Sequence, residues 1–131
     1  MIQLQVPTHD HEEMLDITPA VRQTVQENGW SDGILLLYCP HTTGAVTINE
    51  GADPDVVRDI VVNLRKLVPR QGDYRHAEGN SDAHIKSSMF GCEQMVIVED
   101  GSIQLGTWQK IYFCEFDGPR TRKLWLKWLG C

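Results

Sequence analysis

The sequence predicts an α+β domain built mainly of antiparallel strands, in the order ββαββα and then a run of strands. Short stretches rich in β-branched and aromatic residues recur along the chain, bounded by Gly, Pro or Asp. Two segments pair a capping residue with a following proline and then apolar residues at helical spacing. With 131 residues there is room for one core only, so helices and strands must share it and residues 1–131 form a single domain.

Each element has its own signal. Ile2, Leu4 and Val6 alternate with Gln3 and Gln5, as a half-buried strand does. Residues 12–17 are a weaker strand. Thr18-Pro19 reads as a helix N-cap and first-turn proline. Val21 and Val25 share a face, and Gly29 stops the helix near residue 28. Ile34 to Cys39 is apolar without alternation, which predicts a strand covered on both faces. Ala45-Val46-Thr47-Ile48 is the next strand. Asp53-Pro54 repeats the cap and proline. Val57, Ile60, Val61, Leu64 and Val68 then follow at helical spacing up to Pro69. Residues 70–83 read as a long polar loop of the kind that carries function. Met95–Val98 and Ile103–Leu105 flank an Asp100-Gly101 hairpin turn. Residues 111–116 and 123–128 are the last strands, and the second carries Trp125 and Trp128 on opposite faces.

Composition narrows the function. The net charge of −6 disfavours general nucleic-acid binding, which draws its affinity from Lys and Arg. Arg120, Arg122, Lys123 and Lys127 are a local exception. They read as a solvated strand face, with a subunit interface or an anionic-ligand site as the alternative. No apolar run approaches the ~20 residues of a membrane helix, and the opening residues do not resemble a signal peptide. The four cysteines form no C-x-x-C pair, so reduced thiols in the cytoplasm are expected.

Three of the five histidines stand out, and His9 and His11 read as surface residues. His41 ends the most apolar strand, in Pro40-His41-Thr42-Thr43-Gly44, where a side chain has a rigid platform. His76 and His84 bracket a stretch holding Glu78, Asn80 and Asp82. Three imidazoles with an open fourth position can hold zinc, and the acids and amide can join or orient them. Separate turn histidines are the alternative. Lys86, Ser87 and Ser88 offer an ammonium, hydroxyls and backbone donors to a phosphate, and Thr42 and Thr43 add hydroxyls. Trp108 and Tyr74 offer faces for stacking on a ring.

His41-Thr42-Thr43-Gly44, Ile48-Asn49-Glu50, the stretch from His76 to Ser88, Leu105-Gly106-Thr107-Trp108-Gln109 and Glu115-x-Asp117-Gly118-Pro119-Arg120 occur in this order. Together they closely resemble the YjbQ-like family, labelled secondary thiamine-phosphate synthases, over essentially the full length. The resemblance implies two helices against a seven-stranded β-sandwich in the order ββαββαβββ, assembled as a homotrimer. It implies a histidine-lined pocket near a subunit boundary that binds a divalent metal at His41, His76 and His84. Zinc is the expected ion, with magnesium the alternative beside a pyrophosphate. Asn49, Glu50, Lys86 and Ser87 match further polar positions. The implied activity is weak: a pyrimidine methyl pyrophosphate joins a thiazole phosphate and pyrophosphate leaves. In that reaction His41, His84, Lys86 and Ser87 would act on phosphate oxygens or the metal, with Thr42, Thr43, Asn49 and Trp108 binding substrate. A metal-dependent hydrolase with Glu78 or Asp82 as general base is one alternative. A trimeric binding protein for an anionic metabolite is the other.

Overall fold

Eight strands and three helices succeed one another in the computed structural model, which describes residues 1–131. They are β1 (Ile2–Pro7), β2 (Glu13–Asp16), α1 (Thr18–Glu27), β3 (Gly33–Tyr38), β4 (Gly44–Glu50), α2 (Pro54–Leu67), α3 (Ser81–Phe90), β5 (Glu93–Glu99), β6 (Ser102–Gln104), β7 (Gln109–Glu115) and β8 (Thr121–Gly130). The α+β class is as the sequence predicts. The count differs from the expected two helices and seven strands by one of each.

The strands form two antiparallel sheets, one ordered β1-β8-β3-β5-β6 and one ordered β2-β7-β4. Their facing sides close a core of Leu35, Leu37, Val96, Leu124 and Leu126 against Val46, Ile111 and Phe113, with Val21 and Val25 of α1 at one end. The far side of the small sheet is also covered. Ala45, Tyr112, Cys114 and Phe116 pack there against Leu64 of α2 and Ala83 of α3. β7 is therefore buried on both faces, whereas β3 is not. Leu35 and Leu37 face the core, while Ile34 and Tyr38 are 38% and 36% exposed, so the expectation of a strand covered twice fails within one chain. Trp128 stacks on Trp30 at the core side, and Trp125 stacks on Tyr38 at the open side, which places the two indoles on opposite faces.

The helix starts show which signals were sound. The Asp53 carboxylate accepts from Asp55 N–H at 2.9 Å and caps α2, with Pro54 in the first turn. Thr18 is not a cap: α1 begins on it, and its hydroxyl accepts from Ile111 N–H at 2.8 Å, tying the helix to β7. Asp100 and Gly101 have φ of 49° and 76°, the left-handed pair that a two-residue hairpin turn requires. The expected loop over 70–83 ends early, because residues 81–90 form α3. The buried face of that helix is Asp82, Ala83, Lys86 and Ser87. Three of those four are polar, so no apolar stripe announces a helix.

Candidate functional site

The end of β3 and the exposed side of α3 face each other across a cleft. The chain leaves β3 at Tyr38, runs through Cys39 and Pro40, and presents His41. Lys123 N–H of the neighbouring β8 donates to His41 Nε2 at 2.9 Å. A neutral ring held this way carries its proton on Nδ1. Burial, and next the Arg122 guanidinium, push the His41 pKa down, which favours the neutral ring.

A buried network supports this wall. Arg122 is 2% exposed and Glu115 is fully buried. Arg122 Nε donates to both Glu115 oxygens, at 2.9 and 3.0 Å, and Nη2 donates to Glu115 and to the Thr43 carbonyl and hydroxyl. Glu115 also accepts from the Thr8 hydroxyl at 2.7 Å and from Asp117 N–H at 3.1 Å. These bonds run through Nε and Nη2, which leaves Nη1 as the donor for the cleft. The sequence reading of Arg122 as part of a solvated face is thereby corrected.

The cleft has two lobes that share His41, Thr42 and His84. One holds about 380 Å³ and is walled by polar groups, among them Thr43, Glu78, Asn80, Asp117, Arg120 and Arg122. Asn80 donates to Asp117 Oδ2 at 2.9 Å, and its own Oδ1 is buried without a partner. Arg120 holds the Asp117 carbonyl and carboxylate at 2.9 and 3.2 Å. The other lobe holds about 410 Å³ beside Gly44, Ser87 and Cys92. A larger hollow of about 510 Å³ lies between α2 and Phe90, but its walls are mostly Ile60, Leu64, Leu67 and Phe90 with no acid–base pair, so the two-lobed cleft, where the histidines and arginines gather, is the candidate site.

The other expected site residues fall in three places. His76 lines a separate hollow with Tyr74 and Ser81 that also touches His84, and the His76 and His84 rings meet edge to face at 5.3 Å. Lys86 and Asp82 lie outside the cleft. The Lys86 ammonium is 1% exposed and donates to Glu12 at 2.9 Å and to Asp82 at 3.1 Å. Glu12 in turn meets Arg65 of α2 at 3.4 Å. Lys86 therefore ties α3 to α2 and to the loop before β2, and it is not available to a phosphate. Asn49 and Trp108 lie at the opposite end of the small sheet, beside Glu50, since Gly44 pairs with Glu115 while Glu50 pairs with Gln109. Six strand steps separate the ends by roughly 20 Å. Neither residue reaches this cleft within one chain.

These positions also test the expected metal. A three-histidine site needs three free ring nitrogens around one point. Here His41 Nε2 already accepts a backbone N–H, and no three His, Cys, Asp or Glu side chains are gathered as a metal would require. The arrangement does not fit a three-histidine ion, and no chemical step is derived through one. Sequence reasoning offered Arg122 only through its lesser alternative, an anionic-ligand site or a subunit interface, and did not place Cys92 at the site. The parity of Arg122 with Leu124 and Leu126 along β8 was the available signal for the first.

A family profile described as UPF0047 protein YjbQ-like matches residues 2–131. The chain is 52% identical to the UPF0047 protein YugU of Bacillus subtilis over 128 residues, spanning 97% of each chain. It is 49% identical to a UPF0047 protein of Methanocaldococcus jannaschii over 130 residues, 99% of this chain and 94% of that one. The crystal structure of an uncharacterized conserved protein from Clostridium acetobutylicum, 53% identical, superposes with a TM-score of 0.95 over 98% of this chain and all of that one.

Proposed function

Because the chain belongs to the UPF0047 YjbQ-like family, the resemblance read from its motifs has a full-length basis, and we propose that the two-lobed cleft binds and transforms a small phosphorylated metabolite. The carrying observation is the convergence of His41, His84, Arg120 and Arg122 on one open polar lobe. Arg120, Arg122 Nη1 and His41 Nδ1–H supply donors for phosphate oxygens. The exposed Thr42 hydroxyl orients the rest.

The reaction we favour is slow thiamine-phosphate synthesis. The lone pair of the thiazole ring nitrogen forms the new bond to the pyrimidine methylene carbon while that carbon's C–O bond to pyrophosphate breaks, and pyrophosphate leaves with the electron pair. Such a step asks the protein mainly for alignment of two substrates and for donors on the departing anion. Two lobes meeting at His41 and His84 suit that demand. The test is product formation from the two phosphorylated precursors, with protein free of the host's own synthase. His84→Ala and Arg120→Ala should each lower the rate roughly 10–100-fold. Trp108→Ala, at the far end, should leave it near wild type. Product unchanged in both cleft variants would discard the reading.

Three further parts belong to this reading. A divalent metal is carried by the resemblance alone, and His41 would have to release Lys123 N–H to join one. Equal metal content in wild type and a triple alanine variant of His41, His76 and His84 would remove it. Homotrimer assembly is supported by the open face of the large sheet, where Ile97, Ile34 and Leu129 lie in register beside Met95 and Leu36, and Tyr38 lies opposite Trp125. A cytoplasmic location is supported by four cysteines that are all free. No helix is long and apolar enough to cross a membrane.

A further inference from the structure

Both guanidinium groups of the polar lobe depend on one carboxylate. Glu115 is fully buried at the end of β7 and lines neither lobe. Its two oxygens take Arg122 Nε and Nη2, and Nη2 is fixed further by the Thr43 carbonyl and hydroxyl at 3.1 and 2.8 Å. Nη1 has no partner in the chain, and Arg122 lines the lobe although only 2% of it is exposed. Arg120 is held at second hand. Asp117 N–H donates to Glu115, and the Asp117 carbonyl and carboxylate accept from the Arg120 side chain. The Thr8 hydroxyl meets Glu115 at 2.7 Å and accepts from Arg120 N–H at 2.9 Å. The intervening turn lies directly on the Glu115 side chain: a Cβ on Gly118 would stand 2.7 Å from Glu115 Cγ.

We propose that Glu115 is the positioning residue of the polar lobe: it touches no ligand, and it sets where Arg122 Nη1 and the Arg120 guanidinium point. A guanidinium gripped through both Nε and Nη2 is hindered from turning about its Nε–Cζ bond, so its remaining N–H groups keep one direction. Donors that are already aimed need no ordering when an anion arrives. Charge alone argues the other way. The Glu115 carboxylate repels an anion, so removing its charge would tighten binding if attraction were all that mattered. Aim and charge therefore predict opposite signs for a single substitution. The consequence for binding rests on the reading of the lobe as a phosphate site, whereas the grip on Arg122 stands without it.

Two measurements on the full chain test this. Glu115→Gln keeps the shape of the side chain and removes its charge. Calorimetric titration should find inorganic pyrophosphate bound roughly fivefold more weakly, or worse, by Glu115→Gln. Arg122→Lys, which keeps a cation and loses the fork, should behave alike. If Glu115→Gln does not fold, Thr8→Val removes one donor to Glu115 and takes its place, with a loss of roughly threefold. Nitrogen NMR of the arginine side chains gives a readout that needs no ligand. Arg122 Nη1 and Nη2 should give separate signals in wild type and merge in Glu115→Gln, as rotation is freed. A folded Glu115→Gln, Thr8→Val or Arg122→Lys protein that binds pyrophosphate as tightly as wild type, or more tightly, overturns the proposal and leaves the phosphate reading standing. So do Arg122 signals that are already merged in wild type or still separate in Glu115→Gln. Separate signals in a wild-type protein that does not bind pyrophosphate overturn the phosphate reading and leave Glu115 holding Arg122.

Discussion

His41 shows how a single residue acquires a role that its neighbours in sequence do not announce. The strand-end position was legible, because an apolar run stopping at Pro40-His41 must present the ring at the sheet's edge. Its partner was not, because Lys123 N–H comes from a strand 82 positions away. That bond leaves Nδ1 as the free nitrogen, and burial with the nearby Arg122 favours the neutral ring. A consequence concerns pH. The His41 pKa is lowered in the folded chain, first by burial and then by Arg122, so below about pH 6.5 the unfolded chain binds the extra proton first. Stability from this residue is full above that pH and is lost as pH falls through it toward the folded value. Urea midpoints at pH 7.5 and 5.5 should therefore differ more for wild type than for His41→Gln. An equal difference would show that His41 is not strained in this way.

Helix α3 is the element that the sequence concealed. α1 and α2 were legible because each has a proline in its first turn and apolar residues on one side. α3 instead turns Asp82, Lys86 and Ser87 inward and leaves Ile85 and Met89 39% and 53% exposed. Its docking depends on ion pairing with Glu12 rather than on an apolar stripe. Lys86, expected at the phosphate, is a structural tie. Removing it would strand the buried Asp82 carboxylate and leave Glu12 only its contact with Arg65, a loss of about 3–5 kcal/mol. Lys86→Ala should accordingly lower stability to urea by that order. Among molecules that remain folded, its rate of product formation should fall less than that of His84→Ala. A variant as stable as wild type but inactive would return Lys86 to the cleft.

At the scale of the whole molecule, alternation along β1 and β8 marked their inward faces, but the open face of β3 needed the sheet order to be known. Ile34 and Leu36 look like core residues in sequence because their run has no polar member. The sheets place them on an outer surface with Ile97, Met95 and Leu129. A contiguous apolar face on a small domain marks an interface. Light scattering at micromolar concentration should give about three times the chain mass for wild type, and Ile34→Lys should shift the population toward single chains. A stable monomer across a dilution series would refute the assembly. The same long-range pairing explains the site, since Arg122 and Glu115 come together only when β7 and β8 take their places in different sheets.

The central claim is that the His41–His84 cleft takes a phosphorylated metabolite, and calorimetric titration of inorganic pyrophosphate into the intact protein tests it most directly. The account predicts one site per chain. It also predicts an affinity that falls roughly tenfold or more in Arg120→Ala and in His84→Ala, and that Trp108→Ala leaves unchanged. Binding that is absent in wild type, or equally strong in all four proteins, would contradict it.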